Sequence, residues 1–445
     1  MKKILILFLL LSQTTFAQND SIIADKLIGY WEGAFIKQNA YQKIEVDFST
    51  RDGKMYAFQV MEEWHPGYGE FEVPVQIDST GQINFGTGYG KVALHLDKNN
   101  LEIIGQLVNR SHSVYVHLKK AAKRPSPNYS VEKVAIASEN IELSGHLHLP
   151  FHNPTKTAII LVGGRGCGAD ETKFNLYAKF LREYGIAVLA YQKRGTGKST
   201  GNCDVATIED LAKDLGNVKL FLEKRKEGFE KIGVLGISAG GWTMTKAGEK
   251  HDFDFMISVV GPSTSVRDQQ LQSAKYGADV FQLNATALDN VIKYTHLVFD
   301  VQQSKKGLEA LQSLLAIAKD EGWYQLLEST DVANTESEIE NLWVRRHNFD
   351  PKDVLRNYSK PFLGIYGQKD WIVPPKENIE LLNEYFKNNM ENLTTVNVYG
   401  AEHGMEMESK WVELDQDRSY WHFFRISPEV RIAIVDFLEK HGLRK

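Results

Sequence analysis

Apolar and polar residues alternate along the first hundred positions after residue 20, and then the rhythm changes. Lys43-Ile44-Glu45-Val46-Asp47-Phe48 and Ser113-Val114-Tyr115-Val116-His117-Leu118 repeat every second residue, which places alternate side chains on opposite faces of a strand. Asp52-Gly53 and Thr80-Gly81 punctuate such runs as turns. No helical spacing occurs here. The pattern predicts an all-β N-terminal domain over residues 18–124, either a small antiparallel barrel or a sandwich. Residues 119–128, with two prolines and four basic side chains, read as a linker.

Beyond about residue 129 short apolar runs alternate with amphipathic helices, the signature of a mostly parallel sheet in an α/β fold. The predicted buried strands are 157–162, 186–191, 232–237, 255–260, 362–366 and 395–399. A helix with Leu211, Leu215, Val218 and Leu222 on one face separates the second from the third, and Thr207 with Asp210 can cap it. The last helix starts at Ser427-Pro428 and buries Val430, Ile434, Phe437 and Leu438. Residues 262–352 form a mostly helical insertion between two strands. Ala310, Leu311, Leu314, Leu315 and Ile317 make one of its apolar stripes.

Composition narrows the class. A chain of 445 residues, 42% hydrophobic and 24% charged, with 2 Cys, is globular rather than disordered, collagenous or disulfide-built. A net charge of −5 without a strongly basic stretch argues against a nucleic-acid partner. At the N-terminus Lys2 and Lys3 precede an apolar run over 4–11, and Thr15-Phe16-Ala17 supplies small residues at a cleavage site. This reads as a secretory signal peptide, residues 1–17, too short to span a bilayer. The mature chain is then expected to be periplasmic or secreted, with no integral membrane segment.

The chemistry-bearing residues stand at strand ends. Gly236-Ile237-Ser238-Ala239-Gly240 follows a buried strand and precedes a helix predicted over 241 to about 249. It matches Gly-x-Ser-x-Gly, a strand-to-helix turn so tight that it holds a serine hydroxyl above the sheet edge. Serine is a poor nucleophile unless a base, usually a histidine oriented by a carboxylate, takes its proton. Asp370 lies just past the fifth strand and His403 just past the sixth. That is where open α/β sheets build their sites.

With this order of Ser238, Asp370 and His403, residues 130–445 resemble the α/β-hydrolase superfamily. The residues 143–150, the segment Gln192-Lys193-Arg194-Gly195-Thr196-Gly197-Lys198-Ser199 and the loop Gly367-x-x-Asp370-x-x-Val373-Pro374 carry the resemblance further. The nearest groups are serine aminopeptidases, dienelactone hydrolases and prolyl oligopeptidase-like enzymes. The resemblance implies an oxyanion hole of two backbone amides, one from Ala239. The second falls in Gly163-Gly164-Arg165-Gly166-Cys167-Gly168, where the usual His-Gly entry is missing. Arg165 is the first choice by position and Gly164 the next. The Arg165 side chain has two readings, a partner for an anionic substrate or a structural ion pair. The insertion resembles a lid, whose pocket Tyr294, Trp323, Tyr324 or Trp343 would line. Acidic side chains in 406–421 would form another wall.

Rival motifs fail. Gly197-Lys198-Ser199 lacks the earlier glycine of a phosphate loop, Gln192 standing there. Gly164-x-Gly166-x-x-Ala169 mimics a dinucleotide fingerprint, but Gln192-Lys193-Arg194 occupies the place of the ribose-binding acid. No metal motif is present, so neither metal nor cofactor is expected. The leading expectation is an exported serine hydrolase of carboxylic esters, acting on a small ester. The same triad would serve a peptidase or amidase acting on short peptides. A third reading makes the β-domain a glycan- or cell-wall-binding module, on the strength of Trp64 and Tyr68. The sequence leaves open the oligomeric state and whether Cys167 and Cys203 form a disulfide.

Overall fold

The computed structural model describes residues 23–444 apart from 38–39, 62–69, 88–89, 98, 100, 110–111, 124–125, 169–171 and 408–424. Residues 1–17 and the aromatics Trp64 and Tyr68 lie outside the described residues, as does most of the predicted wall over 406–421. The chain divides into two compact units, one of residues 1–127 with 408–426 and one of 128–407 with 427–445.

The first unit is a closed barrel of eight antiparallel strands. They are β1 (Gly29–Lys37), β2 (Ala40–Arg51), β3 (Lys54–Met61), β4 (Glu70–Ile77), β5 (Ile83–Thr87), β6 (Gly90–Leu96), β7 (Glu102–Asn109) and β8 (His112–Lys120). The alternation decides which side chains turn inward. Ile44, Val46 and Phe48 of β2 are buried, as are Trp31 and Phe35 of β1. Edge-to-face contacts link Trp31, Phe48 and Phe85 across the interior. Closure comes from β1 pairing with β8, with Gly33 opposite Leu118. A barrel of this strand number has an interior that side chains can fill. β8 runs on through Lys120, so the predicted linker begins later than its composition indicates.

The second unit carries an eight-stranded sheet in the order β16-β15-β14-β13-β11-β12-β10-β9. Its strands are β9 (Tyr129–Ser138), β10 (Ile141–Pro150), β11 (Thr157–Val162), β12 (Ala187–Tyr191), β13 (Lys231–Ile237), β14 (Met256–Val259), β15 (Phe362–Gly367) and β16 (Leu393–Val398). The six from β11 to β16 are mutually parallel, while β9 and β10 run antiparallel at one edge. Parallel strands covered on both faces need continuous apolar runs, and β11, β14 and β15 are buried at every position. The helix Ile208–Glu223 starts with the capping box of Thr207 and Asp210 and buries Leu215, Val218 and Leu222. The chain leaves β11 toward β12 on one side and returns with β13 on the other. That reversal opens a crevice at the carboxyl ends of β11 and β13.

The insertion is helical, with Val266–Val280, Ala285–Asp300 and Lys305–Ala318 followed by short turns and the helix Trp343–Arg346. In the third helix the buried face runs through Gly307, Leu311 and Ala318, with Leu314 and Leu315 packed beside it. Ala310 and Ile317 point outward, Ile317 being 38% exposed. The predicted stripe was drawn one position too wide on each side. The core takes Gly307, Leu311, Leu314, Leu315 and Ala318, at spacings of four, seven, eight and eleven from Gly307.

Candidate active site

The nucleophile turn joins β13 to the helix Gly240–Gly248. A Cβ on Gly236 would lie 2.6 Å from the Gly240 oxygen, and one on Gly240 would lie 2.5 Å from the Val162 oxygen. Only glycine allows so close an approach, and Ser238 between them is held at φ 52°. The strain is stored in a rigid frame, and it lifts the hydroxyl out of the sheet.

Two further loops meet that hydroxyl. A Cβ on Gly367, at the end of β15, would come within 2.6 Å of the Ala401 oxygen, so the chain segments after β15 and β16 run almost in contact. Lys369 N–H donates to the Ala401 oxygen at 2.9 Å and Gly400 N–H to Gln368 Oε1 at 3.0 Å. Asp370, 2% exposed, accepts the amides of Ile372 and Val373 on Oδ1, both at 2.9 Å. Its Oδ2 stands 2.8 Å from His403 Nδ1, and His403 Nε2 stands 2.9 Å from Ser238 Oγ. The three side chains selected from the sequence therefore form one continuous hydrogen-bonded line. A carboxylate fixed by two amides keeps the imidazole in the tautomer whose free nitrogen can take a serine proton.

Gly164 and Ala239 flank Ser238. A Cβ on Gly164 would sit 3.1 Å from Ser238 Cβ, and Gly164, Arg165 and Ala239 all wall the crevice that holds Ser238 and His403. The Arg165 side chain turns away into the insertion. Its Nη2 donates to Asp331 Oδ2 at 2.6 Å, its Nε donates to Thr330 Oγ1 at 3.2 Å, and its guanidinium lies 4.2 Å from the Trp343 ring centre. Of the two readings of that side chain, the ion pair is the one formed. Lys193 at the end of β12 was quoted only as part of a loop motif. Its ammonium donates to the carbonyl oxygens of Gly164 and, at 3.1 Å, of Gly166. Cys167 and Cys203 are disulfide-bonded, tying this loop to the loop after β12.

The crevice has a volume of about 320 Å³. Trp343 lines it, together with Trp242 and Trp371, which the sequence reading passed over. Trp371 is the neighbour of Asp370 and packs edge-on against Phe281 of the insertion, 5.6 Å between centres. Tyr294 and Trp323 instead pack on each other inside the insertion, 1% and 0% exposed, and Tyr324 lies on the outside at 39%. Helical spacing identifies a buried face but not what that face covers. Gln269, Gln270, Ser273, Leu326 and Glu328 complete the walls from the insertion. Behind Trp343, His347 stacks on its ring at 4.3 Å, and burial pushes this imidazole down to about 3. Among the described residues no group of three His, Cys, Asp or Glu side chains could hold a metal ion, and no helix is long and apolar enough to cross a membrane.

A mostly parallel sheet with a serine on a glycine-framed turn between strand and helix defines an α/β-hydrolase. The family model described as serine aminopeptidase, S33, matches residues 153–410, and the chain belongs to that family. No curated protein sequence matches it. Among solved structures it is similar to a Pyrococcus furiosus esterase at 17% identity, covering 70% of this chain and 92% of that one with a TM-score of 0.44. A Butyrivibrio proteoclasticus protein, Est1E, solved with ferulic acid bound, gives 17% identity over 70% of this chain and 100% of its own, TM-score 0.44. A Mycobacterium smegmatis proline iminopeptidase gives 16%, 70%, 99% and 0.43 in the same terms. The protein is a serine-type hydrolase.

Proposed function

We propose that this hydrolase is exported and cleaves carboxylic esters through an acyl-enzyme, with Ser238, His403 and Asp370 as its triad. The observation that carries the reading is His403 bridging Ser238 Oγ and Asp370 Oδ2. Ser238 Oγ attacks the acyl carbon while His403 Nε2 takes its proton. The amides of Ala239 and Arg165 receive the oxyanion. His403 returns the proton to the leaving alcohol as its bond to the acyl carbon breaks, and a water molecule then releases the acid by the same steps in reverse. Apart from Glu328 and the Arg165 guanidinium, already paired with Asp331, the crevice is walled by neutral side chains. It suits a neutral substrate better than an anionic one. Export rests on the leader-like residues 1–17, and a disulfide beside the site agrees with an oxidising compartment.

Glu328 favours one second reading. A carboxylate in the crevice wall can pair with the ammonium of an aminoacyl substrate, which would make the enzyme an aminopeptidase. Comparing kcat/KM for p-nitrophenyl acetate and for aminoacyl p-nitroanilides separates the two. Ser238→Ala should lower ester turnover on the order of 10⁶-fold and end labelling by a fluorophosphonate. Retention of both by Ser238→Ala would remove the whole reading.

A further inference from the structure

We infer that Lys193 is a positioning residue that holds the second oxyanion donor in its working orientation. The inference rests on the oxyanion role given above to the Arg165 amide. No peptide bond is cis among the described residues, and in a trans peptide the carbonyl and the next N–H point in opposite directions. The Gly164 carbonyl and the Arg165 N–H are the two ends of one such peptide. Whichever end faces Ser238, the other faces away.

Lys193 fixes the choice. Its ammonium binds the Gly164 carbonyl and also the Gly166 carbonyl two residues on. The residue also lines a small recess with Ala239, Trp242 and Trp343. Lys193 walls a separate cavity of about 310 Å³ with Tyr191, Gln192 and Thr196. Among the described residues it is not in the wall of the crevice that holds Ser238 and His403, whereas Gly164 and Arg165 are in both walls. The peptide thus stands as a partition, its oxygen drawn toward Lys193 and its N–H turned toward Ser238.

Glycine at 164 leaves this peptide free to rotate, and the disulfide three residues later restrains the loop without choosing a face. A flipped peptide would present a carbonyl oxygen to the developing negative charge, replacing attraction by repulsion. One charged donor shared by two carbonyls removes that alternative. Lys193 touches neither the substrate nor the reacting atoms, so its effect should fall on the transition state and not on substrate binding.

The test compares Lys193→Met with Lys193→Arg, using p-nitrophenyl acetate as substrate and phenylboronic acid as a tetrahedral-adduct inhibitor. Losing one oxyanion donor costs about 10²–10³ in kcat. Lys193→Met should lose about 10²-fold in kcat with KM within about threefold, and bind the boronic acid correspondingly more weakly. Lys193→Arg, which still donates to both carbonyls, should stay within about tenfold of the parent. If the methionine variant does not fold, as judged by near-ultraviolet circular dichroism, Lys193→Leu, which likewise has no donor, takes its place with the same expectations. A kcat near the parent's in the neutral variant overturns the inference, and so does a defect confined to KM or an arginine variant as inactive as the neutral one. Ser238→Ala in parallel keeps the two levels apart. If it stays active the triad reading fails, whereas an inactive Ser238→Ala beside a fully active Lys193→Met rejects the positioning role alone.

Discussion

The turn after β13 and the loop after β11 face each other across the same crevice, and they are held in different ways. The turn carries its own glycine frame, set against Val162 of β11 and anchored by the Ser238 amide on the Val259 oxygen. Gly236 and Gly240 admit the close approach, and Ser238 takes the strained φ. The loop is glycine-rich and has no such internal frame. Its shape comes from partners far along the chain, Lys193 at 29 residues, Cys203 at 36 and Asp331 at 166. The position of Ser238 therefore depends mainly on glycines inside its own turn, with neighbouring strands closing round them. The place of the loop opposite it is a property of the assembled fold and of the insertion.

Substitutions should separate the two sides. The largest loss should follow damage to the turn. Gly240→Ala puts a methyl group against the Val162 oxygen, and kcat for p-nitrophenyl acetate should fall on the order of 10²-fold. A parent-like kcat would mean that the turn is looser than its contacts imply. On the loop side, Asp331→Asn weakens a pair whose side chains are only 16% and 7% exposed. About 3 kcal/mol of stability should be lost, with a fall in kcat of about tenfold, readable by denaturant titration and steady-state kinetics. The Cys167→Ser, Cys203→Ser double variant should cost up to about 4 kcal/mol by loss of a 36-residue cross-link, with kcat changed only a few-fold. Combined with Asp331→Asn its effect should be non-additive, since both restrain the same loop.

The effect with the least bearing on turnover is a pH dependence of stability. His148 accepts from Arg182 at Nδ1 and donates from Nε2 to the Thr172 oxygen, a pattern that only the neutral ring can satisfy. Burial pushes both His148 and His347 down to about 3, against about 6.5 when unfolded. Between those values the unfolded chain takes protons that the folded one refuses. The stabilisation is complete above pH 6.5 and is lost as pH falls toward 3. The melting temperature should decline steadily from pH 7 to pH 4. His347→Leu should flatten part of that slope without altering kcat at pH 7.5.

What the sequence made legible follows the same division. Buried parallel strands are continuous apolar runs, so six of them could be read to within two residues at their ends. The order Ser238, Asp370, His403 was legible because each residue ends a strand. Alternation revealed the N-terminal unit as antiparallel, but barrel and sandwich differ only in whether β1 meets β8, a pairing between residues as distant as Trp31 and Lys120. Lys193 gave no signal, since a lysine in a polar loop looks the same whether it is solvated or folded onto two carbonyls. Tyr294 and Trp323 misled in the opposite direction, as aromatics of the right spacing whose face turns into the insertion.

The connectivity of the barrel bears on how the polypeptide is made. Each of its strands pairs with the one just before it, and only the contact of β1 with β8 is distant. Such a succession of hairpins can zip up as it emerges from the ribosome, and it is complete once residue 120 is free. The second unit must wait, because β14 lies between β13 and a strand that begins at residue 362. During translation the nascent chain therefore carries a closed barrel ahead of a half-made sheet. A lesion in the barrel should show itself first in the yield of folded enzyme, before it shows in turnover.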